Sequence, residues 1–215
     1  MNKNLTEMVF ILDRSGSMTG LETDTIGGYN SLLEKQKKEE GEAIVTTVLF
    51  DDRYDMICDH ADIKKIRPMT KKEYYARGCT ALLDAIGKTI NHVGNRHKYA
   101  QDNEIPSKTM VVIITDGYEN ASKEFKLNKV KQMIEHQKEK YNWEFLFLGA
   151  NIDAVQTADS IGINANRAVT YQADSVGTRT NFEVLCQTVA FMRANRPIDE
   201  SWKEKIEKHI KRKDK

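Results

Sequence analysis

An unbroken run of apolar residues, Met8–Leu12, constrains the fold of this 215-residue chain more than any other feature. A strand with one face in water alternates polar and apolar residues, whereas an unbroken apolar run is typical of a strand buried on both faces. Val111–Ile114 is a second run of this kind. Such strands lie in the middle of parallel sheets that carry helices on both sides. The two runs therefore predict an α/β fold.

Predicted strands and amphipathic helices alternate along the chain. The strands Ala43–Phe50 and Tyr54–Asp59 are joined by too few residues for a parallel crossover, so they should form an antiparallel hairpin at one edge of the sheet. The prediction is a three-layer, doubly wound, Rossmann-like sheet, mostly parallel with one antiparallel edge strand, and with helices on both faces. The other predicted elements are helices at Thr19–Glu40, Lys71–Tyr75 and Ala81–Val93, an exposed irregular segment at Gly94–Lys108, strands at Thr109–Thr115, Trp143–Leu148 and Ala168–Tyr171, and later helices that carry Leu127, Ile152, Phe182 and Trp202.

Composition and charge exclude several classes of protein. The net charge of +1, from 33 basic and 32 acidic side chains, excludes bulk electrostatic attraction to nucleic acid or to an anionic membrane as the main function. No stretch approaches the roughly 20 apolar residues that span a bilayer. Three widely spaced cysteines without a CxxC pair indicate reduced thiols, and no apolar leader is visible, so we expect a soluble cytoplasmic protein.

The domain organisation is simple. No internal repeat, low-complexity tract or linker divides the chain, so we predict one domain over residues 1–195. Residues 196–215 are predicted to form a basic, amphipathic C-terminal helix that docks Trp202 and Ile206 on this domain. The oligomeric state stays open.

Oxygen-bearing side chains follow both apolar runs. Asp13, Ser15 and Ser17 come directly after the first run, Asp116 ends the second strand, and Thr80 lies in a short loop before a predicted helix. If the two strands are neighbours at a topological switch point, these five side chains can surround one cation. Carboxylate and hydroxyl oxygens are hard donors, which suit Mg²⁺ first, with Mn²⁺ or Ca²⁺ as possible substitutes.

These residues resemble the metal-ion-dependent adhesion site of von Willebrand factor A domains. The Asp-x-Ser-x-Ser motif of that family falls on Asp13, Ser15 and Ser17, its loop threonine on Thr80 and its second aspartate on Asp116. The resemblance covers roughly residues 4–189. It implies that the serines, and sometimes the threonine, contact the metal directly, whereas the aspartates often act through water. It also implies a stand-alone adaptor of the kind found in bacteria and phages.

The resemblance implies capture of a partner rather than catalysis. An octahedral cation held partly by neutral hydroxyls keeps charge and an open position, which the carboxylate of an Asp or Glu on a partner protein can fill. General bases and nucleophiles near these motifs are few, so we do not expect an enzyme. The loops at the same edge supply candidates for partner specificity, namely Met18, Thr19, Arg77, Tyr118, Glu119, Asn120 and Asn151.

Other interpretations stay open at this level. Asp13, Ser15 and Ser17 could simply cap the next helix. A Mg²⁺-dependent phosphotransferase of the haloacid dehalogenase-like type also places an aspartate after its first strand, but it needs a second carboxylate where this chain has Ser15. A structural subunit with a vestigial metal site is a third alternative. The histidines share no ligand spacing, which argues against zinc, and Cys79 is predicted to be a small buried hydrophobic side chain rather than a reactive thiol.

Overall fold

A six-stranded sheet forms the centre of the molecule in the computed structural model, which describes residues 1–213. The strands are β1 (Asn2–Asp13), β2 (Glu42–Phe50), β3 (Tyr54–Asp62), β4 (Pro106–Thr115), β5 (Glu144–Ala150) and β6 (Ala168–Tyr171). They lie in the order β3-β2-β1-β4-β5-β6, and only β3 runs antiparallel to its neighbour. The predicted sheet, mostly parallel with one antiparallel edge strand, is therefore confirmed.

Helices cover both faces of this sheet. They are α1 (Glu22–Gln36), α2 (Leu82–Tyr99), α3 (Leu127–Tyr141), α4 (Ala154–Ser160), α5 (Ser175–Arg193) and α6 (Glu204–Lys213). The helices α1 and α5 pack together on one face, whereas α2 and α3 pack on the other. α6 lies against β6 and α5, and Ile206 is buried there. Within residues 1–213, none of the helices has the length and apolar content to cross a membrane.

β1 is buried on both faces, as its apolar run predicts. Phe10 and Leu12 belong to the core on the side of α1 and α5, whereas Val9 and Ile11 belong to the core beneath α2 and α3. β1 lies between β2 and β4 in the sheet, and Leu12 is opposite Ile114. The chain leaves β1 towards β2 on one side and returns through β4 on the other, which creates a topological switch point.

The helix α2 is longer than the sequence indicates. It continues to Tyr99, so the prediction that Gly94–Lys108 is irregular is wrong over its first part. β4 also begins inside that segment. The last turn of α2 carries cationic side chains, which are favourable at a helix C-terminus, and His97 contacts Glu7 of β1.

Two further predictions about local structure need correction. The segment Lys71–Tyr75 forms a turn rather than a helix, because Glu73 folds back to accept hydrogen bonds from the N–H and the hydroxyl of Thr70. The first helix begins at Glu22 rather than at Thr19, since Thr19 ends a separate 3₁₀ turn over Gly16–Met18. Both differences place short polar loops at the edge where β1 ends.

The helices α1 and α5 approach each other closely. A Cβ atom on Gly28 would lie 2.3 Å from Cδ2 of Phe182, so only glycine fits at this position. Nearer the helix starts, the hydroxyl of Ser175 donates to the carboxylate of Asp24. Because both contacts follow the same order along the two helices, α1 and α5 run in the same direction.

Candidate metal centre

The loops after β1 and β4 meet at one edge of the sheet. Asp13 ends β1, and Asp116 directly follows β4. Because these strands are adjacent and parallel, with Leu12 opposite Ile114, both aspartates leave the sheet at the same edge. The structure therefore brings the two predicted carboxylates together at the switch point.

A chain of hydrogen bonds connects the first motif with Asp116. The Asp13 carboxylate accepts from the N–H of Ser15 at 2.7 Å and from the hydroxyl of Thr115 at 2.6 Å. The hydroxyl oxygens of Ser15 and Ser17 are 3.0 Å apart, and the Ser17 hydroxyl donates to Oδ1 of Asp116. These bonds hold two carboxylates and two hydroxyls in one cluster.

Thr80 approaches the same cluster from a third loop. A Cβ atom on Gly117 would lie 3.4 Å from Oγ1 of Thr80 and 3.5 Å from Oγ of Ser17, so both hydroxyls face one small space. The backbone of Thr80 is fixed by Asn120, which accepts from its N–H at 2.9 Å and donates to its carbonyl at 3.0 Å. The structure therefore brings Thr80 to the loops that carry the other four predicted side chains.

The two aspartates carry negative charge that no cationic side chain among the described residues balances. Each is only 1% exposed. Burial raises the pKa of Asp116 to about 6, and the nearby charge of Asp13 adds to this effect. Burial also raises the pKa of Asp13, although hydrogen bonds from Thr115 and Ser15 oppose it. Arg14, which follows Asp13 directly, donates instead to Asp51 at 2.8 Å.

The donor set fits a hard divalent cation. Oδ2 of Asp116 is buried and has no hydrogen-bond partner among the described residues. Buried acceptors in native proteins almost always have a partner, so this oxygen is available to a bound ion. The other atoms around it are hydroxyl and carboxylate oxygens, the ligands that Mg²⁺ prefers. Within residues 1–213 there is no group of three or more His, Cys, Asp or Glu side chains that could hold a metal ion, so hydroxyl groups would complete the donor set at this site.

The candidate specificity residues divide into exposed and engaged side chains. Thr19 is exposed, as is Tyr118, whose side chain is 62% exposed. Asn151 is exposed as well, and its side-chain amide donates to the Asp116 carbonyl at 3.4 Å. Met18 is only 1% exposed and belongs to the hydrophobic core, so its prediction as a rim residue is wrong. The 3₁₀ turn over Gly16–Met18 directs this side chain inwards.

Three other rim candidates make intramolecular bonds that hold the loops. Arg77 donates to Asp51 at 2.6 Å. The Glu119 carboxylate accepts from the N–H of Leu83 at 2.8 Å, in the first turn of α2. Asn120 holds Thr80, as described above. These contacts therefore hold in place the loops that surround the site.

Sequence reasoning missed two residues that orient Asp13. Thr115 lies at the end of an apolar strand, and its only sequence signal is its position directly before Asp116. Tyr74 is fully buried, and its hydroxyl donates to the Asp13 carbonyl. Cys79, beside Thr80, is exposed, which contradicts its prediction as a buried hydrophobic side chain.

Comparisons with known proteins support the fold. Neither a scan against protein-family models nor a search of curated protein sequences finds a match. Solved structures do match. Proximal thread matrix protein 1 from the mussel byssus, with a zinc-occupied MIDAS motif, superimposes with a TM-score of 0.58 at 15% identity, over 87% of this chain and 46% of that chain. A von Willebrand factor type A protein from Catenulispora acidiphila gives 0.56 at 13% identity, over 88% and 43%.

The chain has a von Willebrand factor A-like fold. The ArnB paralog VWA2 from Sulfolobus acidocaldarius agrees with this conclusion, with a TM-score of 0.51 at 17% identity, over 87% of this chain and 44% of that chain. The present chain thus spans less than half the length of the solved structures that it matches. At these identities the comparison establishes the fold alone.

Proposed function

We propose that this domain is a non-enzymatic, divalent-metal-dependent protein-binding module that captures an Asp or Glu side chain of a partner protein. The observation that carries the proposal is the buried pair Asp13 and Asp116, whose charges no described cationic side chain balances and whose Asp116 Oδ2 has no partner. Such a pair is costly without a cation and favourable with one. The donor chemistry favours Mg²⁺, with Mn²⁺ or Ca²⁺ as substitutes.

Each side chain has a distinct role in this proposal. The hydroxyls of Ser15, Ser17 and Thr80 would contact the ion, and Asp13 and Asp116 would balance its charge. Thr115 and the N–H of Ser15 keep the Asp13 carboxylate oriented. The bound ion would supply a positive charge that attracts a carboxylate oxygen of the partner. Exposed Ser17 marks the side from which that oxygen approaches.

The surroundings of the site support binding over catalysis. The side-chain partners of the two aspartates are hydroxyls, with no lysine or histidine bonded to them among the described residues. Ser15 stands where a haloacid dehalogenase-like enzyme needs its second carboxylate. The zinc-occupied motif of the mussel protein supports a divalent metal at such a site.

A cytoplasmic location, inferred from the cysteines, is part of the same proposal.

Metal binding is tested first, by isothermal titration of the purified protein with Mg²⁺ and Mn²⁺. We expect one ion per chain, and loss of binding in Asp13→Ala. Asp159→Ala, at an exposed position on α4, is the matched control and should bind as the wild type does. Absence of binding at millimolar metal would favour the vestigial site instead.

Partner capture is tested by affinity purification with Mg²⁺ or with EDTA, followed by mass spectrometry. We expect a partner that is retained only with metal and is lost with Asp13→Ala. Capture that persists in EDTA would contradict the proposal. Mg²⁺-dependent hydrolysis of p-nitrophenyl phosphate that Asp13→Ala abolishes would favour the phosphotransferase.

A further inference from the structure

Two arginines and two aspartates form a closed network of ion pairs beside the metal centre. Oδ2 of Asp51 accepts from Nε of Arg14 at 2.8 Å and from Nε of Arg77 at 2.6 Å. The carboxylate of Asp55 also accepts from both guanidinium groups, at 3.2 Å in the case of Arg77. Asp51 and Arg14 are buried. Ion pairs with several hydrogen bonds fix the relative positions of the groups that carry them.

This network joins three loops at the edge of the sheet where the metal centre lies. Arg14 belongs to the first loop, which follows β1, and Asp51 belongs to the second, which follows β2. Arg77 belongs to the third loop, which also carries Thr80 and precedes α2. The second and third loops are joined again where the N–H of Ala81 donates to the Asp51 carbonyl at 2.9 Å.

Two backbone hydrogen bonds connect the first loop with the third. The N–H of Arg77 donates to the Arg14 carbonyl at 2.9 Å, and the N–H of Gly16 donates to the Gly78 carbonyl at 3.1 Å. Ser15 lies between the two bonded residues of the first loop. Its position relative to the third loop therefore depends on both bonds, and the ion pairs of Arg14 and Arg77 lie directly beside them.

The network also directs the charge of Arg14 away from the metal centre. Arg14 follows Asp13 along the chain, and a free guanidinium group there could balance that carboxylate in place of a metal ion. Instead it donates to Asp51, to Asp55 and, at 3.1 Å, to the Glu73 carbonyl. The charges of two arginines and two aspartates cancel, so the network as a whole adds no net charge beside the ion.

We propose that Asp51, Arg14 and Arg77 form a clamp that holds the third loop against the first and thereby positions the ion-binding hydroxyls. These hydroxyls belong to Thr80 on the third loop and to Ser15 on the first. The three clamp residues are positioning residues, because their side chains bond to one another and act on the site through the loops. The clamp itself does not depend on a metal, whereas its effect on metal affinity rests on the proposed function.

Removal of a positive charge separates positioning from a purely electrostatic effect. Arg77 is partly exposed, and Asp51 keeps Arg14 as a partner, so we expect Arg77→Gln to fold. By charge alone, Mg²⁺ should bind this variant more tightly, because a nearby cation is gone. We expect instead that its affinity for Mg²⁺, measured by isothermal titration, falls about tenfold, as on loss of an outer-shell partner.

Arg77→Lys keeps the charge but not the planar fork that bonds to both carboxylates, so we expect it to weaken Mg²⁺ binding as well. Unchanged or tighter binding in either variant would overturn the effect of the clamp on affinity.

Arg167→Gln is the matched control. Arg167 is partly exposed as well, and it donates at 3.0 Å to Glu144, which begins β5 at the opposite edge of the sheet. This variant should lower the midpoint of thermal unfolding in EDTA to a similar extent, with unchanged affinity for Mg²⁺. A similar loss of affinity in the control would show that general destabilisation weakens the site, and would overturn the positioning role.

Hydrogen–deuterium exchange in EDTA, followed by NMR, tests the clamp without a metal. In Arg77→Gln we expect the N–H of Gly16 to exchange about tenfold faster, because hydrogen bonds to charged groups contribute at least that factor. Its exchange should be unchanged in Arg167→Gln. Exchange in Arg77→Gln at the wild-type rate would overturn the clamp. Absence of Mg²⁺ binding in the wild type would instead remove the proposed function, and the exchange rates would still decide whether the clamp exists.

Discussion

β1 carries a buried carboxylate at each end of its central run, and the protein treats the two in opposite ways. Glu7 is fully buried but accepts from Thr46 at 3.2 Å and contacts His60 and His97. Burial alone would raise the pKa of Glu7, yet the hydrogen bonds and charges of the two histidines lower it to about 2. At the other end, Asp13 accepts from a hydroxyl and an N–H group and contacts no cationic side chain in the described part of the chain.

The difference separates a structural carboxylate from one that, on the proposed function, binds a cation. Glu7 joins β1 to β3 through His60 and to α2 through His97, so its negative charge contributes to the fold. Asp13 and Asp116 share a buried space in which their charges repel, and Asp116 has a pKa of about 6. The burial of a carboxylate by itself therefore does not reveal its function. The informative observation is whether cationic side chains of the protein balance the negative charge of that carboxylate.

The sharpest test of the comparison is the same chemical change in both clusters, in which a buried carboxylate is replaced by its amide. Glu7→Gln removes a charge that two histidines satisfy and leaves them facing a neutral group. At pH 6 we expect the free energy of unfolding to fall by about 3 kcal/mol, measured by urea denaturation, because one partner of a buried pair is lost. A change below about 0.5 kcal/mol would show that the cluster is not structural.

Asp116→Asn should have the opposite effect on the metal-free protein. It removes a charge whose repulsion and burial oppose folding, so at pH 7.5 in EDTA we expect stabilisation by about 1–3 kcal/mol. Mg²⁺ binding should be lost in the same variant, as measured by isothermal titration. A variant that is destabilised in EDTA would contradict the view that the site is strained without its ion.

The two carboxylates also predict opposite responses to pH in EDTA. The folded pKa of Asp116, about 6, exceeds its ordinary 3.8, so its contribution to stability increases as the pH falls from about 7 to 4. The folded pKa of Glu7, about 2, is below its ordinary 4.5, so its contribution is lost as the pH falls below about 4.5. Thermal unfolding should therefore show the highest stability at about pH 4.5, where the gain from Asp116 is nearly complete and the loss from Glu7 has barely begun. Saturating Mg²⁺ should remove the gain in stability that occurs as the pH falls through about 6. If this gain persists with Mg²⁺, groups other than Asp116 cause it.

A pair of threonine variants tests the comparison with the smallest changes. Thr115→Val removes the hydroxyl that orients Asp13, and we expect Mg²⁺ binding to weaken about tenfold. Thr46→Val removes a hydroxyl that donates to Glu7, and we expect a loss of about 1 kcal/mol in stability with unchanged Mg²⁺ affinity. The comparison fails if both variants change the same property.

The sequence predicts the site better than its surroundings. Asp13 and Asp116 follow strands whose type is evident from their apolar runs, so the parallel sheet alone brings them together. Thr80 lies in a loop before α2, and only its motif identifies it. The Glu7 cluster leaves no such signal, because Glu7 and His97 are far apart along the chain and meet only through packing. Met18 was misplaced for a related reason, since a single 3₁₀ turn decides which way its side chain points.

The exposure of Ser17 has a kinetic consequence. Ser15, Thr80 and both aspartates are buried, whereas Ser17 lies open to solvent. On the proposed function, the ion then has a single way out, and a partner carboxylate bound over it blocks that way. Release becomes ordered, with the partner leaving first and the ion second. A chelator added to the assembled complex should therefore act no faster than the partner dissociates.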